Sequence, residues 1–146
     1  MHEKGKHNKE LEASVPTKKS GKFVFINGDI YEGEYETNQS QSIYRHGNGT
    51  FTCQNGIVYT GEWYLDKMHG SGEYIHPSGM TYKGDFVDGK FEGFGVYKWK
   101  DGSVYEGEFK NSKLEGQGVY YDTAGQIWSG KFRGNAAPGL RFMLHM

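Results

Sequence analysis

From about Gly21 onward the chain alternates rings and glycines with polar residues. In Tyr59-Thr60-Gly61-Glu62-Trp63 the odd positions hold two aromatics and a glycine and the even positions are polar, a period of two that places the sets on opposite faces of a β-strand. The pattern recurs at Tyr31–Tyr35, Tyr82–Phe86, Tyr105–Phe109 and, in variant form, Trp128–Phe132. The first residues of the last four copies stand 23 apart. A second marker, Gly-x-Gly, keeps the same interval at Gly47/Gly49, Gly70/Gly72, Gly93/Gly95 and Gly116/Gly118. The first two copies stand 28 apart, so five extra residues lie between Glu36 and Gly47. Repetition at a short fixed period marks an array of equivalent units, none of which buries enough surface to fold alone.

Within each unit a turn dipeptide separates two strand-like runs: Asn27-Gly28, Asn55-Gly56, Ser78-Gly79, Asp101-Gly102 and Ala124-Gly125. In His76-Pro77-Ser78-Gly79-Met80, proline suits the first central position of a type I turn and glycine the left-handed position that closes a three-residue loop. That loop pairs Tyr74 with Tyr82, Glu73 with Lys83 and Gly72 with Gly84. The same rule pairs Phe23 with Tyr31, Phe51 with Tyr59, Tyr97 with Tyr105 and Tyr120 with Trp128, each beside a glycine pair. A two-residue turn would set Tyr97 against Glu106 and break the division of the two faces. The expected fold is all-β: an elongated single-layer antiparallel sheet of five tandem 23-residue β-hairpin repeats. The units fall at about 21–48, 49–71, 72–94, 95–117 and 118–134, so that Gly93 begins a link between hairpins. Residues 1–19 read as a flexible charged tail. In residues 135–146, Leu140, Phe142 and Leu144 alternate with Arg141, Met143 and His145. That segment reads either as a cap on the array or as a tail lying in a groove of this chain or of a neighbouring copy, which makes self-association one expected partner mode.

One face of the sheet then carries the paired rings, the glycines and Tyr35, Trp63, Phe86, Phe109 and Phe132, while Glu32, Glu34, Lys83, Asp85, Glu106 and Glu108 occupy the other. A single layer has no second layer to cover its rings, and a large exposed aromatic patch marks an interaction site. The candidate partner-binding residues are those of the middle units: Tyr59, Trp63, Tyr74, Tyr82, Phe86, Tyr97, Trp99, Tyr105 and Phe109. Twist should make their face concave, a shape that suits an extended peptide or one side of a helix.

Tyr-x-Gly-Glu-Phe/Trp with Gly-x-Gly every 23 residues resembles the MORN repeat, the membrane occupation and recognition nexus motif, over about residues 20–134. The resemblance implies a groove-bearing, non-enzymatic scaffold or adaptor that binds a partner protein or peptide. It also brings the alternative of a peripheral membrane organiser that binds anionic phospholipid. The setting it implies is cytoplasmic, associated with vesicles, the acrosome or cilia in germ cells.

Composition sharpens this picture. Glycine makes up 23 of the 146 residues and aromatics 16%, a bias toward short strands and tight turns. A formal net charge of -1 provides no general attraction to phosphate backbones, so no nucleic acid is expected as a partner. Residues 1–20 hold five Lys against three Glu, and the acidic polar face gives phospholipid binding little support. The lone Cys53 and the polar start of the chain point to a reducing compartment, in which the triplets Asn38-Gln39-Ser40 and Asn48-Gly49-Thr50 stay unglycosylated.

Candidate chemistry is sparse. Glu106 and Glu108 share a strand face as an acid/base pair might, but similar acids recur in other units, and repetition reads as a solvated strand face. His2, His7, His46, His69, His76 and His145 have no ligand-like spacing with one another or with Cys53. No catalytic residue, metal or cofactor is therefore expected, and Cys53 is expected to pack beside the second turn.

Overall fold

The computed structural model describes residues 18–134 in full and the backbone of 141–143. The expected tail at 1–19 lies outside these residues as far as position 17, as does most of the expected C-terminal cap or tail. Eleven strands form one open antiparallel sheet in strict chain order. They are β1 (Lys19–Val24), β2 (Ile30–Thr37), β3 (Ile43–Thr52), β4 (Val58–Tyr64), β5 (Lys67–Ile75) and β6 (Thr81–Val87). The series continues with β7 (Lys90–Lys98), β8 (Val104–Lys110), β9 (Lys113–Tyr121), β10 (Ile127–Arg133) and the three-residue β11 (Arg141–Met143).

The pairings expected within the hairpins are all present. Phe23 faces Tyr31, Phe51 faces Tyr59, Tyr74 faces Tyr82, Tyr97 faces Tyr105 and Tyr120 faces Trp128, each with its glycine pair two residues away. At the tip of β5–β6, His76 donates to the Met80 carbonyl (2.8 Å) and Gly79 donates to that of His76 (3.0 Å). Gly79 sits at φ +98, so the loop is the three-residue form, a type I turn closed by a left-handed glycine.

The links between hairpins differ from the expectation. Successive hairpins join through two-residue turns, Leu65-Asp66, Asp88-Gly89 and Asn111-Ser112, in which both residues have positive φ. This is the primed turn whose twist matches that of the flanking strands. The expected unit boundaries at 48/49, 71/72, 94/95 and 117/118 therefore fall inside β3, β5, β7 and β9, and Gly93 lies within β7, opposite Phe109. Gly-x-Gly is a bulge. Between β4 and β5, Gly61 pairs with Gly72 and Trp63 with Met68, so two more residues run on β5 than on β4. The same shift recurs between β2 and β3, β6 and β7, and β8 and β9. The first glycine of each pair takes the left-handed conformation this requires, as Gly70 and Gly93 do at φ +68. The insertion in the first unit lengthens the β2–β3 pair by Thr37 opposite Ile43, one step beyond the Glu36–Tyr44 pair that matches Tyr64–Lys67 of the next unit, and ends in a loop closed by Asn38.

β11 lies antiparallel to β10, with Trp128 opposite Phe142. The core of this single layer is made by its own rings, all on one face.

Candidate functional site

Each repeat builds its share of the aromatic face from two strands. The tyrosine of Tyr-x-Gly lies diagonally across the second glycine of the following Gly-x-Gly: Tyr59 over Gly72, Tyr82 over Gly95. A Cβ on Gly95 would come within 2.5 Å of the Tyr82 hydroxyl oxygen and 2.6 Å of its ring carbons, so no other residue admits the ring. The hydroxyl then donates to the backbone carbonyl of the acid three residues on, in Tyr31–Glu34, Tyr59–Glu62, Tyr82–Asp85 and Tyr105–Glu108, at 2.5 to 2.9 Å. Burial raises the pKa of all four phenols, against the pull of the Arg45 guanidinium at Tyr31, and takes Tyr31 and Tyr105 from about 10 to about 12.

The terminal aromatic of each motif completes the row. Trp63 meets Tyr31 and Tyr59 edge-on, Phe86 meets Tyr59 and Tyr82, Phe109 meets Tyr82 and Tyr105, and Phe132 meets Tyr105, with centroids 4.8 to 5.5 Å apart. This geometry favours aromatic pairs beyond their area of contact. The result is a continuous row of eight buried rings.

Burial divides the nine expected partner-binding residues. Tyr59, Trp63, Tyr82, Phe86, Tyr105 and Phe109 are no more than 5% exposed and form this core. They are core rings and not the exposed ones expected, and Tyr59 and Trp63 reach the surface only as the floor of the recess described below. Alternation along a strand assigns a residue to a face but not to a depth, and here the bulge lets one unit's ring slide beneath the next. Tyr74, Tyr97 and Trp99 remain half-buried on the aromatic face.

Two rows flank the buried one, and the expected set omitted most of them. Phe51, Tyr74, Tyr97 and Tyr120 lie toward the hairpin tips, and Arg45, Met68, Phe91 and Leu114 lie opposite Tyr35, Trp63, Phe86 and Phe109 toward the two-residue turns. The signal for the second row, one apolar or basic residue two places before each Gly-x-Gly, becomes readable only once the bulge register is known. Between the rows, over Tyr59 and Trp63, opens an apolar recess of about 360 Å³ whose sides include Phe51, Cys53, Met68 and Tyr74.

One charge sits in this recess. The Arg45 guanidinium lies 4.3 Å from the Trp63 ring centroid and 5.0 Å from that of Phe51, and its Nε donates to Asp66 Oδ1 at 2.7 Å. Cys53 packs beside the second turn as expected, its carbonyl accepting from Gly56. Partial burial, followed by the Asp29 carboxylate, raises its thiol above the ordinary range.

The acids on the opposite face have a structural duty that a solvated strand face does not capture. Glu34, Glu62, Asp85 and Glu108 accept from the backbone N–H of Asn48, Ser71, Phe94 and Gln117, the middle residues of the following Gly-x-Gly, at 2.5 to 3.1 Å. Each carboxylate replaces the carbonyl that the bulge has moved out of reach. In the fifth unit, where no Gly-x-Gly follows, the position holds Lys131. Among the described residues no three His, Cys, Asp or Glu side chains are placed to hold a metal ion. His76 caps its own turn, its Nδ1 accepting from Ser78 N at 3.1 Å.

Comparison with known proteins bears on the repeat itself. Among curated proteins, none matches. One similar solved structure is the SAS-4 (dCPAP) TCP domain of Drosophila melanogaster in complex with a proline-rich motif of Ana2 (dSTIL). It is 11% identical over 87% of this chain and 89% of that chain, with a TM-score of 0.33, too distant to carry anything over. The family model of the MORN repeat matches residues 44–58, 59–81, 82–104 and 105–127 without a gap, more than half of the sequence. Tyrosine over glycine, acid under bulge and a 23-residue step are thus the working parts of a known repeat, and the chain belongs to the MORN repeat family.

Proposed function

We propose that this chain is a non-catalytic scaffold whose aromatic face binds a partner protein or peptide, with the recess beside Phe51, Cys53, Met68 and Tyr74 as its anchor point. The observation that carries the reading is that recess: an open apolar hollow floored by rings the fold itself requires, with one guanidinium at its side. Such a hollow accepts an apolar side chain from a ligand laid across the strands, while half-buried Tyr74, Tyr97 and Trp99 extend the contact at low entropic cost. Arg45 keeps part of its guanidinium beyond Asp66 and favours an acidic group on the ligand.

Affinity capture from cells that express the protein tests this. The double variant Tyr74→Ala/Tyr97→Ala is expected to keep a native circular-dichroism spectrum and to lose most of the captured partner. A control on the other face, Glu73→Ala/Val96→Ala, should retain it. If the folded ring variant captures the partner as well as the wild type, the aromatic face is not the binding surface. Anionic phospholipid is the competing ligand, and the carboxylates across the opposite face argue against it. Sedimentation with phosphatidylserine vesicles in a salt-dependent manner would favour that alternative. The cytoplasmic setting at vesicles, acrosome or cilia belongs to the same proposal and is checked by imaging a tag on the endogenous protein.

A further inference from the structure

Glycine faces glycine across every strand pair from β1 to β10, beginning with Gly21–Gly33 and Gly33–Gly49 and ending with Gly107–Gly118 and Gly118–Gly130. The ladder stops at Gly21, whose outer side faces no described strand. The same edge ends in the most exposed apolar group of the described chain: Val24 is 68% exposed, Phe25 44%, and Ile26 fully. Three adjacent exposed apolar residues beside an open strand edge mark a surface that another chain covers.

The polarity of the edge specifies how. Phe25 donates to the Asp29 carbonyl at 2.8 Å, so the bonded pairs of the first hairpin fall on the odd-numbered residues of β1. The N–H and C=O groups of Ser20, Lys22 and Val24 therefore point outward. An antiparallel neighbour centred on Gly21 would satisfy them, and a second copy of β1 supplies one in which Gly21 meets Gly21 and Ser20 meets Lys22. Lys19 then lies opposite Phe23, and no lysine faces a lysine. The next register sets Lys22 against Lys22, a like-charge pair. Lys22 already faces Glu32 within its own hairpin, and Lys18 Nζ lies 2.8 Å from Glu34. The lysines that blunt this edge against general pairing are thus compatible with the register centred on Gly21.

We infer that two copies of the chain pair antiparallel through β1, with Gly21 on the two-fold axis. The axis stands perpendicular to the sheet, so both aromatic faces point the same way and merge into one surface. The interface is self-complementary and closes at two copies. It is independent of what the aromatic face binds.

Light scattering on the eluting full-length protein tests the pairing. The 16.5 kDa chain is expected at twice its mass. Lys22→Pro removes only an outward N–H and leaves the β1–β2 bonds in place, so it should run at single mass with an unchanged spectrum. In a Cys53→Ser background, Gly21→Cys should oxidise to a covalent dimer. Cα atoms at such non-bonded pairs stand about 4.5 Å apart, within disulfide reach. A single-mass wild type at every concentration overturns the inference, as does a dimer insensitive to both changes. Mass that grows without limit would mean stacking of β11 on β1, and dimerisation only after deletion of residues 1–17 would mean that the chain covers its own edge. Either of these also overturns it.

Discussion

Tyr82 touches three parts of the sheet at once: its ring covers Gly95, its hydroxyl holds the Asp85 carbonyl, and its edges meet Phe86 and Phe109. The two glycine roles of the repeat should therefore separate on mutation. Gly95→Ala drives a Cβ into the ring and should cost about 2–4 kcal/mol, as other core disruptions do. Gly102→Ala, at φ +91 with nothing within 4 Å, meets only backbone strain and should cost about 1–2 kcal/mol. Urea titration ranks them, and the reverse order would show that the tyrosine does not need the glycine. Trp63 belongs to the same core, so truncating it reports on folding rather than on binding. The buried phenols add a pH dependence with a definite sign. Their folded pKa values lie above the ordinary value of about 10, so the folded state holds its protons longer than the unfolded one. Stability is unaffected by these groups below pH 10 and falls as pH rises from about 10 toward 12. The urea midpoint measured across that range should decline, and the tyrosinate absorbance of the buried phenols should appear together with unfolding. A flat midpoint would contradict the burial of these hydroxyls.

The hairpin and the bulge differ in how far the sequence reveals them. Registers such as Tyr74–Tyr82 and Gly72–Gly84 were legible because both partners lie within a few residues of a turn whose glycine declares its type. Gly-x-Gly was not, because a bulge is a relation between two strands. The extra residues on β5 become visible only against β4, and the carboxylate of Glu62 explains itself only when Ser71 is beside it. Of the two-residue turns, Asp88-Gly89 and Asn111-Ser112 carry residues such turns favour, whereas the first is hidden for another reason. Leu65-Asp66 lacks the glycine or asparagine such a turn favours, and Leu65 is held at φ +45 against its preference. The turn is kept because Asp66 bonds back to Arg45 through both backbone and carboxylate. Leu65→Asn relieves the strain without touching those bonds and should raise stability by about 0.5–1 kcal/mol in denaturant titration. A loss of stability would mean that the Leu65 side chain contributes packing that outweighs its backbone cost.

For the molecule as a whole, a one-layer sheet must make a core from a single face, and it does so by overlapping each unit's tyrosine with the next unit's glycine and aromatic residue. The units are therefore stable only as neighbours, and the rings left over after that overlap form the surface available to a partner. The candidate site was legible as a face but not as a depth, so six of the nine expected rings belong to the core and three remain at the surface. Cys53, the only cysteine in the chain, sits in the recess and reports on it directly. The most direct test of the account is the rate of Cys53 alkylation by iodoacetamide at mildly alkaline pH, with and without the captured partner. The partner is expected to slow the reaction severalfold for the wild type and to leave it unchanged for Tyr74→Ala/Tyr97→Ala. Alkylation of the wild type at the same rate, free or bound, would place the partner elsewhere on the sheet.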